Sequence, residues 1–219
     1  MLLLNSFNIV PTKRRKSNKI FGALILAAGL SSRMDGYKPL LEINEKKLIE
    51  HALELFKNTG VEEIVTVVGF RAENLIPIIE AASSRYVVNK NYQNGMFSSI
   101  RKGVAELRNM CDAFFLLPVD IPCVRSTTIQ QLLKAFKLDS SILVFYPEFQ
   151  SRRGHPPLLA SNLIDHIIAY TGDEGMRGFL RGYENRAVSI PVADPFVLRD
   201  VDTAEDLSKL KEELSKFPF

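Results

Sequence analysis

Several features are missing from this chain, and each absence closes a class of function. No apolar run reaches the ~20 residues that a membrane-crossing helix needs, so nothing points to a membrane partner. Neither GxxxxGK[ST] nor GxGxxG occurs, so the chain has neither a P-loop nor a dinucleotide-binding fingerprint. Its two cysteines, Cys111 and Cys123, match no metal-ligand or redox spacing. They read as buried thiols in a reducing compartment, which makes the cytoplasm the expected location. No internal repeat and no long low-complexity linker breaks the 219 residues. One domain over residues 20–219 is therefore expected, long enough for a substantial core.

A basic surface is missing too, once the source of the charge is located. The formal net charge is +3, yet Lys13, Arg14, Arg15, Lys16 and Lys19 all fall in the first 19 residues, which hold no acid. With those five set aside, 23 basic residues face 25 acidic ones. The body of the chain thus carries no nucleic-acid footprint. Residues 1–19 place their apolar part before their basic part, the reverse of a secretory leader. They read as a flexible extension whose deletion leaves stability and turnover nearly unchanged. A basic arm that touches a partner or RNA is the other reading.

What is present begins at Ala23-Leu24-Ile25-Leu26-Ala27-Ala28-Gly29, a short apolar run that opens into the polar segment 30–38. The run reads as a buried parallel strand. A small-residue loop at the carboxyl end of a first strand is where open α/β sheets bind ligands. There the backbone N–H groups of Ala27, Ala28, Gly29 and Ser31 can approach phosphate oxygens. Arg33 and Lys38 can add charge, one as a flat fork and the other as a mobile point charge.

Strand and helix patterns then alternate. Helices are expected at Leu48–Phe56, Ala72–Ala82 (with a kink or a late start because of Pro77), Met96–Arg108 and Ser126–Leu138. Strands are expected at Glu62–Phe70, Tyr86–Asn89, Asp112–Val119 and Ser141–Tyr146, the third of these being central. This is the rhythm of a mostly parallel sheet with helices on both faces. Past Tyr146 it changes. A polar loop, Glu148–Pro157, leads to a short strand and two helical segments. Strands at Ala187–Val192 and Phe196–Asp200 and a final amphipathic helix, Thr203–Lys216, complete the chain.

Six acidic and basic positions stand out. Asp120 follows an apolar strand and so emerges at the ligand edge, where it is either a Mg²⁺ ligand or the cap of the helix that starts near Ser126. Asp200 and Asp202 share one side of an extended segment and can supply a second carboxylate, with Asp200 preferred as ligand and Asp202 as support or cap. His155, held between Gly154 and Pro156, reads as an exposed loop residue that contacts an acceptor substrate. Arg152 and Arg153 either bind that substrate or are simply solvated.

The run Leu26-Ala27-Ala28-Gly29-Leu30-Ser31-Ser32-Arg33-Met34, with Lys38 four residues on, closely resembles the signature loop of the molybdenum cofactor cytidylyltransferase group. The resemblance continues in Asn94–Arg101, Pro118-Val119-Asp120-Ile121-Pro122, Arg153-Gly154-His155-Pro156 and Asp200–Leu207, and so covers nearly everything after Lys19. Asp35 stands where the group usually has Gly, and Ala204 where it has Pro. The resemblance implies a Rossmann-like nucleotidyltransferase fold and Mg²⁺-dependent transfer of CMP from CTP to molybdopterin, with release of pyrophosphate. It makes Asn91–Ser99, with Gly95, Ser98 and Ser99, the base and ribose platform. It also implies a molybdenum hydroxylase apoenzyme as recipient partner. A sugar- or alcohol-phosphate cytidylyltransferase and a non-catalytic carrier remain as alternatives. The methyl of Ala28, where guanylyl relatives carry Gly, argues for CTP over GTP.

Overall fold

In this computed structural model residues 19–30, 36–139 and 141–216 are described. Ser31 and Arg33 of the phosphate loop, and all but Lys19 of the N-terminal extension, lie outside them.

The chain opens with β1 (Phe21–Ala27), every residue of which is buried. A 3-10 turn, Lys38–Leu40, leads to a small hairpin of β2 (Glu42–Ile43) and β3 (Lys46–Lys47). Helix α1 (Leu48–Lys57) follows, its first turn closed by a bond from Lys47 N–H to Glu50 at 2.7 Å. Then come β4 (Glu63–Val68), α2 (Ala72–Ala81), β5 (Arg85–Val88), α3 (Met96–Leu107), β6 (Ala113–Pro118) and α4 (Ser126–Leu138). Helix α2 begins promptly at Ala72 and runs through Pro77. The late start expected from that proline does not occur, because Arg71 takes a left-handed φ of 49° and turns the chain directly into the helix.

The last third holds β7 (Val144–Phe149), β8 (Arg152–Arg153), β9 (Leu158–Ala160), α5 (Ile164–Ala169), α6 (Gly175–Arg181), β10 (Ala187–Pro191) and α7 (Ala204–Lys216). Two expectations change here. The loop from Glu148 contains a hairpin, since Gln150 and Ser151 both adopt positive φ and bring Arg152 and Arg153 back onto β7. The stretch Phe196–Asp200 is not a strand: Pro195–Leu198 form a 3-10 turn. Pro195 presets the first helical φ, and the Asp194 carboxylate accepts the Phe196 N–H at 3.1 Å, so the turn is nucleated before extended pairing can begin.

The strand order is β10-β7-β9-β6-β1-β4-β5, with β8 paired to β7. All main-sheet neighbours are parallel except where β9 runs antiparallel between β6 and β7 and β8 returns on β7. This is the mostly parallel α/β sheet of the sequence reading. β1 is followed in space by β4 on one side and β6 on the other. The chain therefore reverses its direction of winding beside β1, and a crevice opens outside the carboxyl ends of β1 and β6.

Candidate active site

That crevice has a volume of about 340 Å³. Leu26–Leu30 from the end of β1, Lys38 and Pro39, Tyr92, Gln93, Gly95, Met96 and Ser99 at the start of α3, and Pro118–Asp120 beyond β6 line it. Among the residues singled out from sequence, Ala27, Ala28, Gly29, Lys38, Gly95, Ser99 and Asp120 meet here.

The walls are fixed by the backbone. Val119 N–H donates to the Leu26 carbonyl at 3.1 Å, continuing the β1–β6 register past the last paired residues. The Tyr37 hydroxyl donates to the Phe70 carbonyl at 2.6 Å, and its ring meets Phe70 edge-on. Burial holds the Tyr37 phenol well above its ordinary pKa, so it stays a neutral donor. Gly69 must be small: a Cβ there would lie 2.9 Å from the Ala28 carbonyl oxygen and 3.0 Å from the Ala28 methyl. The Ala28 methyl therefore turns toward Gly69, and it acts on the crevice by setting how closely these two loop ends approach.

Charge gathers at one end. Lys38 Nζ lies 2.5 Å from Asp202 Oδ1 and 3.5 Å from Asp120 Oδ2. Asp202 arrives there because Val201 N–H donates to the Asp120 carbonyl at 2.8 Å, joining two segments far apart in sequence. Burial raises the affinity of Asp120 for a proton, the Lys38 ammonium opposes this, and Asp202 adds to it. Neither aspartate caps a helix. The start of α4 is tied instead to Asp194, which accepts from Arg125 N–H at 2.9 Å and the Thr128 hydroxyl at 2.7 Å. The start of α7 is closed by Thr203 and Asp206, which bond each other's backbone N–H groups at 3.2 and 2.7 Å. It is Asp202, rather than the exposed Asp200, that sits beside Asp120 and Lys38.

His155 is packed rather than exposed. Its N–H donates to the Val197 carbonyl at 2.8 Å, and Gly154 presses so closely on Val197 that a Cβ would come within 2.4 Å of that oxygen. Ring atom Nδ1 is sealed from solvent with no hydrogen-bond partner among the described residues. Burial lowers the imidazole pKa, against the Leu116 backbone and the carboxylates of Asp120 and Asp200, which favour the charged ring. Arg153 is not brought to the cluster. It forms a two-pronged pair with Glu184 at 2.7 and 2.9 Å and lies over the Tyr146 ring.

Sequence reasoning missed Asn89 and Asp194 and gave Tyr37 no role, whereas Tyr92 and Gln93 fall inside the Asn91–Ser99 segment that it marked. Asn89 carried a usable signal, since it ends an apolar strand as Asp120 does. Two hard carboxylate oxygens beside a cationic amine, next to the Ala27–Gly29 loop, fit the donor set of Mg²⁺, which takes one or two protein carboxylates plus phosphate and water. Among the described residues no group of three or more His, Cys, Asp or Glu is placed to hold a metal without such a co-ligand. Nor, among them, is any helix long and apolar enough to cross a membrane.

Comparison with known proteins agrees with this geometry. The nicotine blue oxidoreductase of Paenarthrobacter nicotinovorans is 31% identical over 193 residues, covering 85% of this chain and 94% of that protein. A nucleotidyl transferase from a Methanothermobacter species superposes with a TM-score of 0.77 at 20% identity, over 91% of this chain and 99% of its own. A CMP:2-keto-3-deoxy-manno-octonic acid synthetase in complex with CTP gives 0.71 at 16% identity, over 90% and 99% of the two chains. Rv0371c of Mycobacterium tuberculosis, in complex with manganese, gives 0.67 at 18%, over 89% and 98%. Residues 23–188 match the family described as the MobA-like NTP transferase domain. With that match spanning most of the chain, the chain belongs to the MobA-like NTP transferase domain family and is a nucleotidyltransferase by class.

Proposed function

We propose that this protein transfers CMP from CTP to a phosphorylated acceptor, molybdopterin or its molybdenum form, and releases pyrophosphate. The observation that carries the transfer reading is the cluster of Lys38, Asp120 and Asp202 at the end of the crevice. An acceptor phosphate oxygen bonds to the α-phosphorus, the bond to the α–β bridging oxygen breaks, and pyrophosphate leaves with the electron pair. The nucleophile is already anionic near neutral pH, because the second pKa of a phosphate monoester is about 6. No general base is then required, and His155, kept neutral by burial, contacts the acceptor rather than taking a proton.

Ala27, Ala28 and Gly29, with Ser31 and Arg33, cradle the triphosphate, and Lys38 neutralises developing charge. Asp120 and Asp202 hold Mg²⁺, with Asp200 nearby in support; when bound, the ion supplies charge neutralisation on the triphosphate and the departing pyrophosphate. Gly95, Ser98 and Ser99 form the base and ribose side. Residues 20–219 act as one domain, and the recipient of the product is a molybdenum hydroxylase apoenzyme. The CTP choice is supported by the CTP-bound fold relative and by Ala28. The molybdopterin choice is supported by the motif resemblance alone.

A second reading rests on the name of one relative, an oxidoreductase of which this chain spans 94%. There the crevice would hold a redox substrate instead of a triphosphate to be cleaved. One experiment separates the two. CTP, Mg²⁺ and a panel of phosphorylated acceptors are incubated with the protein, and products are read by mass spectrometry alongside pyrophosphate release. A CMP-linked product supports transfer, and its mass names the acceptor. No pyrophosphate with any acceptor, together with protein-dependent reduction of nicotine blue by an added reductant, overturns it.

A further inference from the structure

We propose that Asn89 is a positioning residue that turns the Ser99 hydroxyl into a hydrogen-bond donor facing the base and ribose end of the nucleotide. The proposal rests on the nucleotide-binding reading of the crevice and adds a residue and a direction to it.

Asn89 lies one residue past β5 and is 5% exposed. Its backbone N–H donates to the Val68 carbonyl at 2.8 Å, which fixes the residue at the carboxyl edge of the sheet. The side-chain orientation follows from its partners. Asn91 N–H donates at 3.0 Å and can only meet an acceptor, so the atom facing it is the amide oxygen. The amide nitrogen then faces α3 and donates to Ser98 Oγ at 2.9 Å and to Ser99 Oγ at 3.0 Å. Both of its protons are thereby engaged.

The two serines are left in different states. The Ser98 hydroxyl has acceptors inside the protein, the Gly95 carbonyl at 2.8 Å and the Asn91 carbonyl at 3.1 Å. Ser99 lines the crevice and has, among the described residues, only the bond in which it accepts. A hydroxyl has one proton and two lone pairs. With Asn89 occupying a lone pair, the Ser99 proton is available to the crevice. There it meets an acceptor atom of the base or ribose. Ser98 and Ser99, alike in sequence, thus divide into a bracing residue and a ligand donor.

Asn89→Asp tests the direction of the bonds. A carboxylate accepts only, so it recruits the Ser99 proton and removes it from the crevice. CTP affinity in the presence of Mg²⁺ should fall about five- to tenfold in Ser99→Ala, the size of one lost hydrogen bond. It should fall similarly in Asn89→Asp, and no further in the double variant. Affinity for tripolyphosphate should stay unchanged in all three, since that probe lacks base and ribose. Unchanged CTP affinity in Ser99→Ala overturns the proposal, and does so even if Asn89→Asp fails to fold. Additive losses in the double variant, or equal weakening toward tripolyphosphate, also overturn it. Failure of the unmodified protein to bind any nucleoside triphosphate overturns the nucleotide reading itself, and this inference with it.

Discussion

Asp120 carries a burial cost that its own protein offsets only in part. Its proton affinity is raised even with Lys38 alongside, so between the ordinary carboxylate pKa and the raised one the folded state holds more proton than the unfolded. Stability therefore falls as pH rises through that window. Asp120→Asn should remove this cost while it disables the metal site. We expect kcat/KM to drop at least about 100-fold. In metal-free buffer at pH 7 the melting temperature should stay equal or rise by about 2–4 °C, the shift expected per kcal/mol in a domain of this size. Added Mg²⁺ with CTP should stabilise the parent and not the variant; near-normal turnover of Asp120→Asn at low Mg²⁺ would remove Asp120 from the site. Ala28 tests the base. The parent should prefer CTP over GTP in kcat/KM, and Ala28→Gly should narrow that preference, because a methyl is worth about 10- to 200-fold in discrimination at most. Equal use of both nucleotides by the parent would refute the steric argument.

At the scale of elements, the short segment around Asp194 does more than its sequence suggests. Its carboxylate, 1% exposed, accepts from Arg125 N–H, the Thr128 hydroxyl and Phe196 N–H, and so ties the start of α4 to the turn after β10. Asp194→Ala leaves three donors without an acceptor. Urea unfolding should give a loss of about 3 kcal/mol, and a loss under about 1 kcal/mol would mean that water replaces the carboxylate. This element also marks where sequence reading stops. β1 and β6 were legible because every residue of each is apolar, as a strand buried on both faces demands. Phe196–Asp200 was not, because a short apolar run reads equally as strand or turn, and the residue that decides it lies just outside, at Asp194. The Gln150–Ser151 turn was hidden for a related reason: its positive φ values occur without the Asn-Gly or Asp-Gly pair that announces such turns.

For the whole molecule, the gathering of the site was legible where it follows from sheet topology and obscure where it follows from side-chain contact. Asp120 and the Ala27–Gly29 loop come together because strand ends must, and Lys38 joins them from the turn that follows the loop. Arg153 was drawn into the site by its neighbours in sequence, yet Glu184 holds it elsewhere. His155 supplies a global readout. Burial depresses its pKa below 6.5, so from that value downward the unfolded chain takes up a proton that the folded one resists, and stability is lost as pH falls. Unfolding free energy measured from pH 7.5 to 5 should decline less in His155→Asn than in the parent, and parallel slopes would show that the imidazole is not the group responsible. One further property follows from the bond between Val201 N–H and the Asp120 carbonyl. The two segments that build the charged corner are joined through main-chain atoms, which every amino acid except proline at 201 can supply. Side chains at 120 and 202 are thus free to change without the corner coming apart. Such a frame can be refitted with new reagents by point substitution, and a family built on it can pass from one chemistry to another while its backbone stays in place.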